Sequence, residues 1–153
     1  MPRPLRRTEA GGARERVLVD SGAWIALVRA TDQHHAEADR MFRHAARLRI
    51  PLVTTNLIVA EVHRFILFHV GIRPAAILLD RIDSSPLLTT EFVTAEHHDA
   101  ARRWIAKLAD QVITYTDAVS FAVMDAMRCS AAMSFDHDFV TAGFRLWQAR
   151  DAR

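Results

Sequence analysis

The stretch Val17–Val28 reads VLVDSGAWIALV, and its first four residues decide the fold. Val17, Leu18 and Val19 are apolar without alternation and two of them are β-branched, the pattern of a short strand buried on both faces. The run stops on a carboxylate, Asp20. Ser21 and Gly22 then turn the chain into a helix that carries Ala23, Trp24, Ala26 and Leu27. In open α/β sheets ligands bind beyond the carboxyl ends of the strands, where the helices begin. Asp20 stands at such a point.

Outward from this stretch, strands and helices alternate. Polar Thr31–His35 reads as a loop, and Glu37–Leu48 as a helix with Ala38, Met41, Phe42, Ala45 and Leu48 at helical spacing. Arg40, Arg43, His44 and Arg47 fall on another face of that helix, either a solvated face or a phosphate-contacting stripe. Ile50–Val53 is a strand, and Thr54, Thr55 and Asn56 are cap formers that open a helix running to Gly71. That helix is apolar nearly all round and is expected to be largely buried. Pro74 suits the first turn of a helix ending near Asp83. Leu87–Val93 reads as a strand, Thr94 caps a helix through Leu108, and another helix runs from Thr114–Thr116 to about Arg128. Ala131–Phe135 is a small-residue strand, and a short turn leads to a last strand near Phe144–Trp147. The alternation predicts an α/β fold with a mostly parallel sheet of about five strands and helices on both faces.

The 153 residues suit one compact domain, and 50% hydrophobic with 25% charged residues excludes wholesale disorder. The single cysteine, Cys129, excludes a disulfide framework and a cysteine-based zinc cluster, and a lone thiol suits a reducing cytoplasm. Met1–Arg16 holds Arg3, Arg6, Arg7, Arg14 and Arg16 against Glu9 and Glu15, which turns the formal charge of +2 into −1 for the rest of the chain. Bulk charge therefore says little about the partner of the body. Met1–Arg16, with two prolines and a Gly-Gly pair, reads as a flexible basic tail without the apolar core of a secretory signal, residues 17–148 as the domain, and residues 149–153 as a short C-terminal tail. The most apolar segment, Leu57–Val70, is interrupted by Glu61, His63, Arg64 and His69 and is too short to span a bilayer.

Four carboxylates fall at strand ends or helix starts: Asp20, Glu61, Asp117 and Asp136. Each has a structural alternative. Thr114-x-x-Asp117 matches a capping box, Asp20 and Asp136 can cap or turn, and Arg64 lies one turn from Glu61 as an ion-pair partner. Carboxylates gathered at one edge would repel and raise one another's pKa, and a divalent cation is the usual remedy. A donor set of oxygens alone favours Mg²⁺ or Mn²⁺, and such an ion suits phosphodiester hydrolysis. The histidine pairs His34–His35 and His97–His98 show no metal-ligand spacing.

With these residues in hand, the chain resembles a PIN domain, and specifically the VapC-type toxin ribonucleases. The stretches that carry the resemblance are VLVDSGAWIAL, NLIVAEVHRF, TYTDAVSFAVM and AMSFDHDFVTAGF, in family order from Arg16 to about Trp147. The resemblance implies a small α/β/α sandwich and a Mg²⁺- or Mn²⁺-dependent endoribonuclease. It places catalytic roles on Asp20, Glu61, Asp117 and Asp136, with Asp20, Asp117 and Asp136 as metal ligands and Glu61 orienting or deprotonating water. Ser21, Thr116 and Asp138 would support them, and Ser134 is a further hydroxyl in reach. It also implies an RNA substrate, a cognate VapB-type antitoxin lying against the apolar helices, a homodimer, and contact with DNA only through the antitoxin. A non-cleaving PIN-like module that binds RNA or protein is the alternative from another class, and a small-substrate phosphohydrolase is a third, disfavoured because Asp20-Ser21-Gly22 lacks the Asp-x-Asp pattern.

Overall fold

The computed structural model of the chain describes residues 15–149. The expected N-terminal tail therefore lies outside the described residues except for Glu15 and Arg16, and the C-terminal one except for Ala149. Glu15 accepts hydrogen bonds from Arg145 and from Ser130 Oγ, and Arg16 donates to the Met127 carbonyl.

Among the described residues the order is β1 (Val17–Val19), α1 (Ser21–Val28), α2 (His35–Leu48), β2 (Leu52–Thr55), α3 (Asn56–His69), α4 (Ile72–Ser84) and β3 (Leu88–Glu91). Then follow α5 (Ala95–Lys107), α6 (Tyr115–Met127), β4 (Ala131–Met133), α7 (Asp138–Thr141) and β5 (Arg145–Leu146). Every pairing is parallel, in the order β3-β2-β1-β4-β5. The predicted five-stranded α/β architecture is the observed one. Strand ends differ by at most two residues from the sequence reading, and the stretch read as a turn after Asp136 contains the short helix α7.

The central position of β1 explains its composition. Val17, Leu18 and Val19 have no exposed surface, because strands flank them on both sides and helices cover both faces. α1–α4 pack on one another in one group and α5–α7 in another, as right-handed crossovers in a parallel sheet of this order require. Ala131 and Ala132 of β4 keep that strand slim, and Ala118 through Met124 of α6 are all buried. Phe121 stands at the centre of the second layer, its ring centroid 5.4 Å from Trp104, 5.3 Å from Phe139 and 5.8 Å from Phe144. The register sets Val19 beside Met133, so the residues that follow, Asp20 and Ser134, emerge side by side at the carboxyl edge.

One expectation fails. The helix α3 is not buried all round. Ile58, Val62 and Ile66 face the core, but Phe68 is 70% exposed and Glu61 is exposed too. α3 packs on α1, α4 and β2, and the face that carries Glu61 and Phe68 is exposed. Glu61 therefore needs no buried partner. Arg64, the candidate for that role, lies instead over the Phe68 ring at 5.3 Å.

Candidate active site

Asp20 ends β1 and its carbonyl starts α1, accepting from the amides of Ala23 (3.2 Å) and Trp24 (3.3 Å). Its carboxylate makes no side-chain cap. It takes a hydrogen bond from Ser134 Oγ at 2.9 Å, and Ser134 Oγ in turn accepts the Asp136 amide at 3.0 Å. One hydroxyl thus ties the Asp20 carboxylate to the backbone of Asp136. Burial pushes the Asp20 carboxyl up to about 6, against the lowering effect of Ser134 and of the Ser21 amide, with the charges of Asp117 and Asp136 adding to the rise.

Asp117 comes from the first turn of α6, and its capping role is real. Thr114 Oγ accepts the Asp117 amide at 3.1 Å, and Asp117 Oδ2 accepts both Thr114 Oγ (2.8 Å) and the Thr114 amide (3.4 Å). Both of these bonds land on Oδ2. The acid therefore serves the helix with one oxygen and can serve a cation with the other. Its pKa is raised, mainly by burial; the Thr114 hydrogen bonds oppose the rise and the charges of Asp136 and Glu61 add to it. Removing the cap with Thr114→Ala is expected to cost about 1 kcal/mol, seen as a lower denaturant midpoint at unchanged slope.

Asp136 and Asp138 sit in the turn after β4, where Asp136 Oδ1 accepts the Asp138 amide at 2.9 Å. Asp138 is raised as well, by burial first and then by the charges of Asp136 and Asp117. Asp117, Asp136 and Asp138 each offer an oxygen within 4.8 Å of the others. The tightest trio thus contains Asp138, a residue given only a supporting role from the sequence. Asp20 lies outside that trio yet close enough for its charges to be felt. Glu61 projects from α3 into the same field, as its effect on Asp117 shows. Asp117 and Asp136 thus share one cluster, and Asp20 and Glu61 lie near enough to exchange charge effects with it.

The supporting hydroxyls divide. Ser21 contributes its backbone amide to Asp20, Thr116 contributes its carbonyl to Ser120 Oγ at 3.0 Å, and Ser134 is the side chain that bridges two acids. A ring missed by sequence reasoning stands beside them: His34 lies flat on Phe135, between Ser134 and Asp136 in the chain, at 4.1 Å and 8°. Ligand spacing gave no signal for it; the loop-to-strand contact exists only in three dimensions. A cavity of about 510 Å³ between α5 and α6 lies elsewhere, lined by Arg103, Trp104, Lys107 and Asp125 and by none of the site acids.

A cluster of carboxylates at the carboxyl edge of a parallel sheet, with the pKa of Asp20, Asp117 and Asp138 raised, is the type of site metal nucleases use. Residues 17–145 match the PIN domain family, and the chain belongs to it. The 23S rRNA-specific endonuclease VapC20 of Mycobacterium tuberculosis is 31% identical over 128 residues, covering 84% of this chain and 95% of that protein. The crystal structure of Mycobacterium tuberculosis VapC20, described as a sarcin-ricin loop cleaving toxin, matches with a TM-score of 0.76 and 29% identity over 86% of this chain and 98% of that one. FitAcB from Neisseria gonorrhoeae shares the fold, with a TM-score of 0.64 and 15% identity over 89% and 99% of the two chains. Within the family the chain is a VapC-type toxin ribonuclease. Nucleases of this family work with a divalent metal, and the three aspartates offer a seat for one. No helix among the described residues is long and apolar enough to cross a membrane.

Proposed function

We propose that Asp20, Asp117 and Asp136 hold Mg²⁺ or Mn²⁺, that Asp138 lends a further oxygen, and that Glu61 is the base. The observation that carries this reading is the gathering of acids from β1, α3, α6 and the turn after β4, whose charges help to raise the pKa of Asp20, Asp117 and Asp138. Such a set fits a hard cation, because ionised oxygens facing one another are stabilised by a positive charge and lack the soft ligands zinc prefers. The cation would supply stabilisation of negative charge at the phosphoryl group. Ser134 holds Asp20 and Asp136 in register, and Thr114 holds Asp117, so the acids are pre-oriented. Exposed Glu61 is free to take a proton from the water that attacks phosphorus, forming the new P–O bond as the bond to the 3′-oxygen breaks. The products are a 5′-phosphate and a 3′-hydroxyl.

The substrate class we propose is ribosomal RNA. What supports it is the likeness to VapC20, named for 23S rRNA, across 95% of that protein's length. A VapB-type antitoxin is the proposed inhibitor, a basic side chain of which would pair with the acids. The exposed apolar residues Phe68 and Ile72 of α3 and α4 suit contact with it. We further propose a homodimer, a cytoplasmic setting, and DNA contact only by way of the antitoxin. Purified chain incubated with total RNA is expected to cut it with Mg²⁺ or Mn²⁺ and to leave it intact with EDTA. Mapping the new 5′ ends then gives the target, and cuts outside ribosomal RNA overturn the proposed class. RNA left whole under every metal favours the non-cleaving binding module instead.

A further inference from the structure

We propose that His34 is a positioning residue for the RNA, a stacking surface that seats one nucleobase beside the scissile phosphate; this rests on the ribonuclease reading above. Its ring centroid lies 4.1 Å from that of Phe135 with 8° between the planes, so one face is committed to the stack. The side chain is still 39% exposed. Phe135 is the residue between Ser134, which holds Asp20, and Asp136, so one ring of the stack is carried by the same turn as the acids.

The loop that carries the ring is held in place. The His34 amide donates to Asp32 Oδ1 at 2.8 Å, the His35 amide to the Asp32 carbonyl at 3.0 Å, and His35 Nδ1 lies 2.7 Å from the Ala26 carbonyl. Glu37 Oε2, 3.9 Å from His34 Nδ1, marks the edge of the ring. A planar group already fixed loses little freedom when a base lies on it. The chemistry of the neighbourhood favours this mode of binding. A guanidinium placed here would pair with the carboxylates and compete for the metal seat. An aromatic surface holds nucleic acid through its bases and leaves the acids free. The bland alternative is that His34 only covers Phe135.

The test uses the whole chain, Mn²⁺, and a short RNA spanning a cut mapped in total RNA. His34→Ala is expected to raise KM about tenfold with kcat nearly unchanged, and His34→Tyr to restore KM, since stacking energy of this kind is shared by substrate and transition state. An abasic nucleotide placed at each position around the cut is expected to cost the wild type about tenfold at one position and to cost His34→Ala nothing more there. Unchanged KM in His34→Ala, or abasic losses that add fully to the substitution at every position, would overturn the proposal. A lowered melting temperature with kcat and KM both altered and no rescue by Tyr would do the same, and would mark His34 as cover. If the wild type leaves the RNA whole, the ribonuclease reading fails instead. The same abasic series read as binding by fluorescence anisotropy then decides the role of His34 independently.

Discussion

Replacing Asp20 with Asn is expected to make the metal-free protein more stable while cutting its RNA cleavage by roughly 10²–10³-fold. The gain in stability comes from burial. In the folded chain the Asp20 carboxyl keeps its proton up to about pH 6, whereas its ordinary value is 3.8. Between those values the folded state binds more protons than the unfolded one, so stability falls as pH rises through the window and stays low above it. The difference corresponds to about 3 kcal/mol at most. Asn has no charge to desolvate, and its amide oxygen still accepts from Ser134 Oγ. Thermal melts in EDTA at pH 8 are expected to show the variant higher by roughly 4–8 °C for about 2 kcal/mol. At pH 4 the gap closes. Adding Mn²⁺ reverses the ranking, because a bound cation stabilises the wild type through mass action and the variant has lost a ligand. A variant that melts lower than the wild type in EDTA at pH 8 would show that the buried acid is not a strain on the fold.

Glu61→Gln is expected to separate chemistry from folding more cleanly still. Glu61 is exposed and makes no ion pair among the described residues, so its melting temperature is expected to stay within about 1 °C of the wild type. A base that takes the proton of the attacking water contributes typically 10²–10⁴-fold, and kcat is expected to fall by about 10²-fold with KM little changed. Affinity for the cation, followed as the melting shift on adding Mn²⁺, should remain close to that of the wild type. A loss of both the shift and activity would assign Glu61 to the ligand set and leave the base to be sought among the other acids.

The fold was legible because its signals are local. The unbroken apolar run Val17–Val19 marks a central strand, and threonines at positions 55, 94 and 114 do cap the helices they precede. Three acids of the candidate site were legible for the same reason, since Asp20, Asp117 and Asp136 stand next to strand or helix ends, whereas Glu61 lies inside α3. What escaped depends on contacts between distant segments. The all-round apolar pattern of α3 carries no record of how many neighbours will cover it, and it gave Glu61 and Phe68 a burial they do not have. The entry of Asp138 into the tight trio depends on its amide turning back onto Asp136 Oδ1, a loop geometry with no periodicity to betray it. The place of His34 depends on a ring met across about a hundred residues of chain, and metal-ligand spacing was the wrong criterion for it.

The hydroxyl link between Asp20 and Ser134 joins segments 114 positions apart, and Asp136 follows only two residues later. Synthesis must therefore pass Asp136 before the acids can be assembled. A ribosome that stalls or meets a premature stop ahead of Ser134 releases a product without two members of the set. A truncated product of this kind is therefore expected to lack the proposed metal seat and to leave RNA uncut.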